Sequence, residues 1–385
     1  MRKLTVQYLL FAILFGITSI SVFATEEIET TLTDINYQFD KTKVNASEDS
    51  FHFLRSFVDY YYKLIPVNAD SLNVGRAASH FSGWCVGDAH PENFGALLQD
   101  NSTVIFGMND MDDSGPCPVV YDFLRLLVST RLYQPKFNIL AAIDFYEHGM
   151  NLESVKVPSN IQSLLNAGLK AGPIVNPKDL EGNIFKRKKE SVEVASEVRF
   201  LIEKDLKELF SSDKFISENI RVIDILATSK IGGGSAGLLR YEVLCSLENG
   251  EKIHLELKEL TTPAIESIAT TAIPDQKSRM LKSLLVEQGE KASHYYSVLG
   301  VNGKTMLLRP KFMGNLGIVL DENLVSENSA DIINYEAYTL GRIHSQTTDV
   351  SEYRKALSQL KPNEWENDVT AFTKQFNKKY SQLKN

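Results

Sequence analysis

Gly87-Asp88-Ala89-His90-Pro91-Glu92-Asn93 places a carboxylate and an amide five residues apart, directly after a short apolar run. Phosphoryl transfer uses such a pair. Asp88 would orient or accept the proton of an attacking hydroxyl, and the Asn93 oxygen would coordinate a magnesium ion. A tight Gly-Asp turn with an Asn cap gives the same pattern without chemistry, but the residues downstream favour the chemical reading. Val104-Ile105-Phe106-Gly107-Met108 is an apolar strand that runs into Asn109-Asp110-Met111-Asp112-Asp113. A metal-binding carboxylate is wanted at that strand end, because magnesium prefers hard oxygen ligands. Asp110 is the first choice as ligand and Asp112 the second; an acidic hairpin turn is the plain alternative.

Gly232-Gly233-Gly234-Ser235-Ala236-Gly237 satisfies Gly-x-Gly-x-x-Gly between two strand-like runs, a weak signal on its own. A strand follows rather than a helix. That disfavours a dinucleotide fold and favours a hairpin closing over phosphates, with Gly232, Gly234, Ser235 and Gly237 as nucleotide contacts. Lys258, in Leu255-Glu256-Leu257-Lys258-Glu259, lies on a later strand and could reach the phosphates. Glu287 on the next helix is its candidate ion-pair partner, with Glu290 as fallback. A flexible turn and an exposed strand lysine are the bland counterparts of these assignments.

These residues need elements to hold them. Phe51–Ile65 has apolar residues at helical spacing, and Phe81–Val86 and Thr103–Met108 read as strands around the Asp88 loop. Val119–Tyr133 and Asn138–Asn151 read as helices, and Glu190–Phe210 as an amphipathic one. Arg221–Leu260 is β-rich. Within it, Leu238–Leu247 and Ile253–Leu260 form a hairpin across Asn249-Gly250. Met280–Leu299 reads as a helix, Lys304–Phe312 as a strand and Ser329–Gln346 as a helix. The expected class is α+β. The expected units are a signal at 1–24, a flexible lead-in at 25–49 and a mainly helical lobe at 50–215. A β-rich nucleotide-binding lobe at 216–320 and C-terminal helices at 321–385, packed on the helical lobe, complete it.

The chain has 385 residues, 43% hydrophobic and 23% charged, which suits a globular protein with a real core. A net charge of −8 lacks the basic footprint of a nucleic-acid binder. Arg2 and Lys3 precede an uncharged stretch, and Val22-Phe23-Ala24 is followed by Glu26 and Glu27. That is the layout of a signal peptide cleaved after Ala24, with an uncleaved anchor as the alternative. The expectation is export to the periplasm or medium, with no stable membrane span after cleavage. Cys85 and Cys117 bracket the motif region and could bridge; three free thiols, Cys245 included, are the other possibility.

Several motifs together carry a family resemblance. They are Phe51–Arg55, Gly87-Asp88-Ala89-His90 with Asn93-Phe94-Gly95, Asn109-Asp110-x-Asp112, Gly115-Pro116, Asp122-x-x-Arg125-Leu126, Gly232–Gly237, Lys258-Glu259 and Gly341–His344. The set resembles the family known as domain of unknown function 2252. Departures fall at Ser56, Met111, Asp113 and Gln346, and they spare every candidate ligand. The Gly-Asp-x-His-x-x-Asn form is also similar to that of aminoglycoside and choline phosphotransferases. There the Asp that opens the following helix, here Asp122, is structural and anchors the catalytic loop. The resemblance implies a protein-kinase-like two-lobe fold using ATP, or another nucleotide, with magnesium. The glycine loop and lysine follow the Asp88 loop here, so the fold is expected to be circularly permuted. Three functions follow as expectations: phosphoryl transfer to a small-molecule or protein hydroxyl, AMP transfer on the same fold, or a non-catalytic, pseudokinase-like binding module. Export favours the last, because ATP is scarce outside the cytoplasm. The acceptor and the oligomeric state are not legible.

Overall fold

The computed structural model describes residues 30–384 apart from 101, 190, 213, 216, 217, 231 and 320–328; the signal segment lies outside the described residues. The chain opens with α1 (Lys41–Ala46), α2 (Ser50–Ser56), α3 (Val58–Asn68) and α4 (Asn73–Ala78). The single helix expected over Phe51–Ile65 is therefore two. The break falls at Phe57, whose φ of −128° and ψ of 59° leave the helical region and turn its ring into the core. The lead-in is not loose from Thr30 onward. Tyr37 and Phe39 pack against Phe57 and Tyr60, and the Tyr60 hydroxyl donates to Asp34 at 2.7 Å.

Next comes a compact β region. β1 (Ser82–Cys85) pairs antiparallel with β4 (Gly115–Pro118), while β2 (Phe94–Leu98) and β3 (Val104–Met108) form the hairpin between them. A disulfide joins Cys85 to Cys117 across the β1–β4 pair, and Cys245 is a buried free thiol. The bridge closes a loop of 32 residues, worth about 3–4 kcal/mol by the chain-entropy model. That loop contains Asp88, Asn93, Asp110 and Asp112.

Helices α5 (Val119–Tyr133), α6 (Ile139–Met150) and α7 (Ser159–Ala171) follow. β5 (Leu180–Glu181) and β6 (Ile184–Phe185) make a small hairpin before β7 (Ser191–Glu193) and α8 (Ser196–Phe210). The amphipathic helix expected from Glu190 starts later, because residues 191–193 add a strand to the edge of the main sheet.

That sheet contains β8 (Arg221–Thr228), β9 (Arg240–Ser246), β10 (Lys252–Glu259), β11 (Ser297–Val301) and β12 (Lys304–Pro310), with α9 (Gln276–Gln288) inserted after β10. Its order is β11-β12-β10-β9-β8-β7, antiparallel throughout. The helix expected over Met280–Leu299 stops at Gln288, where Gly289 takes a φ of 82°, and Ser297 begins a strand. Successive strand side chains alternate faces. Ile253, Leu255 and Leu257 of β10 join Tyr241, Val243, Met306 and Leu308 under α8. The same alternation puts His254, Glu256 and Lys258 on the opposite face.

β13 (Leu316–Gly317) pairs with β2, and α10 (Ser329–Ser345), α11 (Val350–Leu357) and α12 (Pro362–Lys384) complete the chain. α10 lies on α6 at very close range. A Cβ on Gly149 would fall 2.1 Å from the Tyr338 carbonyl oxygen, and one on Gly341 would fall 2.3 Å from that of Tyr146. Both positions must therefore be glycine. α12 packs on α2, α4 and α5. The architecture is α+β. Among the described residues, no helix is long and apolar enough to cross a membrane.

Candidate active site

The Asp88 loop is built from the strand it leaves and the helix it faces. β1 ends at Cys85, and Gly87 turns at a φ of 85°. A Cβ there would meet the Asp113 carbonyl oxygen at 2.0 Å, so the two acidic loops can touch only because residue 87 is glycine. Asp122, in the first turn of α5, fixes the loop backbone. It accepts from the N–H groups of Val86 at 2.7 Å and Gly87 at 3.1 Å. It also accepts from the Tyr62 hydroxyl at 2.9 Å and contacts His344 Nε2 at 3.0 Å. His344 is fully buried between Asp122 and Tyr146, so it serves the anchor and does not face the cleft.

Asp88 is held by Arg125, one helical turn beyond Asp122. Arg125 Nε donates to Asp88 Oδ1 at 3.1 Å, and Nη2 reaches the same oxygen. His90 Nε2 stands 3.6 Å from Asp88 Oδ2. Burial raises the Asp88 pKa above the usual carboxylate range, against the pull of Arg125. Burial also holds His90 well below its ordinary value, helped by Arg55 and Arg125, so its imidazole is neutral.

The β2–β3 hairpin brings the metal candidates together. Asn93 enters β2 and Asp110 follows β3, and the Asn109 N–H donates to the Asn93 carbonyl at 2.9 Å. Asn93 Nδ2 donates to the Asp88 carbonyl at 3.1 Å, which leaves its Oδ1 without a partner among the described residues. Arg279 on α9 is fully buried and grips the acidic loop through the carbonyls of Asp112 and Ser114.

Lys258 reaches this loop from β10. Its Nζ lies 2.9 and 2.7 Å from the two oxygens of Asp110 and also contacts Asp112. The two carboxylates behave oppositely. Burial raises both, but Lys258 and Arg309 outweigh it at Asp110, which stays well below its ordinary value. Asp112, buried beside the charged Asp110, is pushed up to about 6. Burial and the neighbouring Asp88 push Asp113 up to about 7.

The expected Lys258–Glu287 ion pair is absent. Lys258 is committed to Asp110 and Asp112, while both oxygens of buried Glu287 lack hydrogen-bond partners among the described residues. Burial, with Asp122 and Asp110 nearby, raises the Glu287 pKa well above its ordinary value, so the carboxyl is protonated. Helical spacing alone did not settle which way α9 is rotated.

The separate segments meet in one cleft of about 400 Å³. Its lining includes Asp88, Asn93, Asp110, Asp112, Gly233, Gly234, Ser235 and Lys258. Gly232 and Gly237 shape the loop but do not line the cleft; Gly237 closes it by donating to the Lys230 carbonyl at 3.2 Å. Lys43 on α1 donates to the Gly234 carbonyl at 2.7 Å, so the N-terminal helices hold the glycine loop down.

Beyond Lys258, sequence reasoning gave the basic residues of the site no role. Arg55 pairs with Glu92 at the rim, Arg309 with Glu256 at 2.7 Å, and Lys311 with Glu242 at 2.8 Å. Arg55 and Arg125 each stood in a motif of the family resemblance, and Arg125 also lies three residues from Asp122 on one helix face. No group of three or more His, Cys, Asp or Glu side chains among the described residues is arranged to hold a metal ion. The set that does converge mixes types: two carboxylates and an amide. Among the described residues, Asp112 Oδ1 is buried without a partner, and the one side-chain hydrogen bond of Asn93 uses its Nδ2. Such hard oxygen donors fit magnesium, which keeps several waters and takes one or two carboxylates plus phosphate oxygens.

Residues 44–135 match the family model described as an uncharacterized protein conserved in bacteria (DUF2252). The matched segment carries Phe51–Arg55, the Asp88 loop, the Asp110–Asp113 cluster and Asp122–Leu126, and it supports the family resemblance those motifs carry. The glycine loop and Lys258 lie beyond it. No curated protein and no solved structure matches the chain.

Proposed function

We propose that the chain is a magnesium-dependent phosphotransferase with a circularly permuted protein-kinase-like fold, moving a phosphoryl group from a nucleoside triphosphate to a hydroxyl. One observation carries the reading. Asp88, Asn93, Asp110, the glycine loop and Lys258, spread over some 170 residues of sequence, line a single cleft. The order of parts supports it further. From the glycine loop onward come a strand, the lysine strand and then a helix, the succession that kinases use to hold phosphates. Here that succession follows the catalytic loop.

In this reading Asn93, Asp110 and Asp112 hold magnesium, whose contribution is to neutralise charge on the phosphates. Asp88 orients the acceptor hydroxyl through Oδ2, because Oδ1 is taken by Arg125. Its raised pKa suits a group that takes up the hydroxyl proton. Lys258, Arg309 and the glycine loop then face the developing charge in a partly desolvated cleft. The Cys85–Cys117 bridge supports an oxidising compartment, in keeping with the export read from the N-terminus.

A second reading, a non-catalytic nucleotide binder, is favoured by the commitment of Asp88 to Arg125 and of Lys258 to the aspartates. Incubation with magnesium-ATP and a panel of hydroxyl acceptors, with products weighed by mass spectrometry, separates the functions. Added phosphoryl is the expected result. Added AMP points to nucleotidyl transfer, and nucleotide binding with no product points to the binding module.

A further inference from the structure

The cleft contains five cationic side chains: Arg55, Lys230, Lys258, Arg309 and Lys311. Four are matched by carboxylates. Arg55 holds Glu92, Lys258 holds Asp110 and Asp112, Arg309 holds Glu256, and Lys311 holds Glu242. Lys230 is different. Among the described residues, no carboxylate lies within ion-pair distance of its ammonium, though it faces a cleft rich in acids.

Its position is specific. Lys230 precedes the glycine loop, and an ideal Cβ on Gly233 would fall 3.4 Å from Lys230 Nζ. The ammonium thus lies against the turn, although the residue as a whole is exposed. The turn closes on itself through Ala236 N–H to Gly233 O at 3.1 Å and Leu238 N–H to Ser235 O at 3.3 Å. The N–H groups of Gly233, Gly234 and Ser235 have no acceptor among the described residues, and all three residues line the cleft. Successive unpaired N–H groups beside an ammonium make an anion-binding concavity. The surroundings agree in direction: burial, followed by Arg240, lowers the Lys230 pKa, with Asp110 pulling the other way from beyond ion-pair distance.

We propose that Lys230 is a phosphate-binding residue of this cleft and, with the N–H groups of residues 233–235, receives the polyphosphate chain of its ligand. The inference rests on the phosphotransferase reading and deepens it. Lys258, already neutralised by two aspartates, brings no net positive charge to the ligand; Lys230 does. The alternative, a solvated surface lysine, gives no reason for the ammonium to lie against the loop.

The test is binding of inorganic tripolyphosphate to the full chain by calorimetry, at fixed ionic strength and without magnesium. Lys230→Gln should weaken binding by about tenfold or more, the effect of losing one charge-assisted hydrogen bond. Lys230→Arg should retain most of the affinity, and Lys204→Gln, on the exposed face of α8, should change nothing. Unchanged affinity in Lys230→Gln, or no tripolyphosphate binding by the wild-type chain, overturns the proposal. Wild-type binding that depends on Lys230, with no group transfer to any acceptor, keeps the anion site and counts against the phosphotransferase alone.

Discussion

Asp122→Ala is expected to cost about 3–5 kcal/mol of stability, the range for removing one partner from a buried, hydrogen-bonded charge cluster. Asp122 is fully buried, and the backbone of Val86 and Gly87, the Tyr62 hydroxyl and His344 converge on it. Alanine leaves two buried N–H groups, a hydroxyl and an imidazole without their acceptor, and each carries its own desolvation penalty. Such a loss is a large share of the roughly 5–15 kcal/mol that holds a typical domain together. Urea unfolding measures it. Asp122→Asn, which keeps one acceptor oxygen, should fall between wild type and alanine. A loss below about 1 kcal/mol for the alanine variant would show that the loop is anchored elsewhere.

Asp88→Asn should act on turnover instead. The amide retains an oxygen for Arg125, so the loop keeps its geometry, but it cannot take up a proton. Removing a general base of this kind costs about 10²–10⁴-fold in rate. Nucleotide affinity should stay near wild type, since in this reading Asp88 meets the acceptor hydroxyl and its own ion-pair contacts are Arg125 and His90. A stability loss of about 1–3 kcal/mol is also expected, because Arg125 stays charged and buried beside a neutral group. Kinetics at a temperature well below the unfolding midpoint therefore isolate the chemical effect. Turnover equal to wild type would remove Asp88 from the mechanism.

Much of the site was legible because its residues follow strong local patterns. The alternating run around Lys258 marked a strand, and β10 carries the lysine on the face opposite Leu255 and Leu257. The apolar run before Asp110 fixed a strand ending in carboxylates, and α5 spans Val119–Tyr133 as its pattern indicates. What stayed hidden depends on tertiary pairing. β4 contains Pro116 and Pro118, which argue against a strand in the interior of a sheet. It forms because its partner β1 is its sole neighbour in a two-stranded sheet, so the missing donors cost nothing on the outer edge. Residues 191–193 have helical spacing and still join the sheet, since an open edge beside β8 offers backbone bonds.

The same limit explains the two errors around the lysine. Periodicity placed Glu287 on a helix after β10, but the rotation of α9 is set by Arg279 reaching the carbonyls of Asp112 and Ser114. Once Arg279 faces the acidic loop, Glu287 is left buried near Asp122 and Asp110, protonated and without a partner among the described residues. Lys230 carried no motif. Only the fold shows that every other cation of the cleft is already matched.

The central claim is that this cleft binds a magnesium–nucleoside triphosphate. The most direct measurement is the unfolding temperature of the full chain across a titration with ATP and magnesium. A ligand at 100 times its dissociation constant adds about 2.7 kcal/mol, which should raise the transition by several degrees. Magnesium should strengthen the shift, and Asp110→Asn should diminish it. An unfolding temperature unmoved by any nucleoside triphosphate, with or without magnesium, would contradict the account.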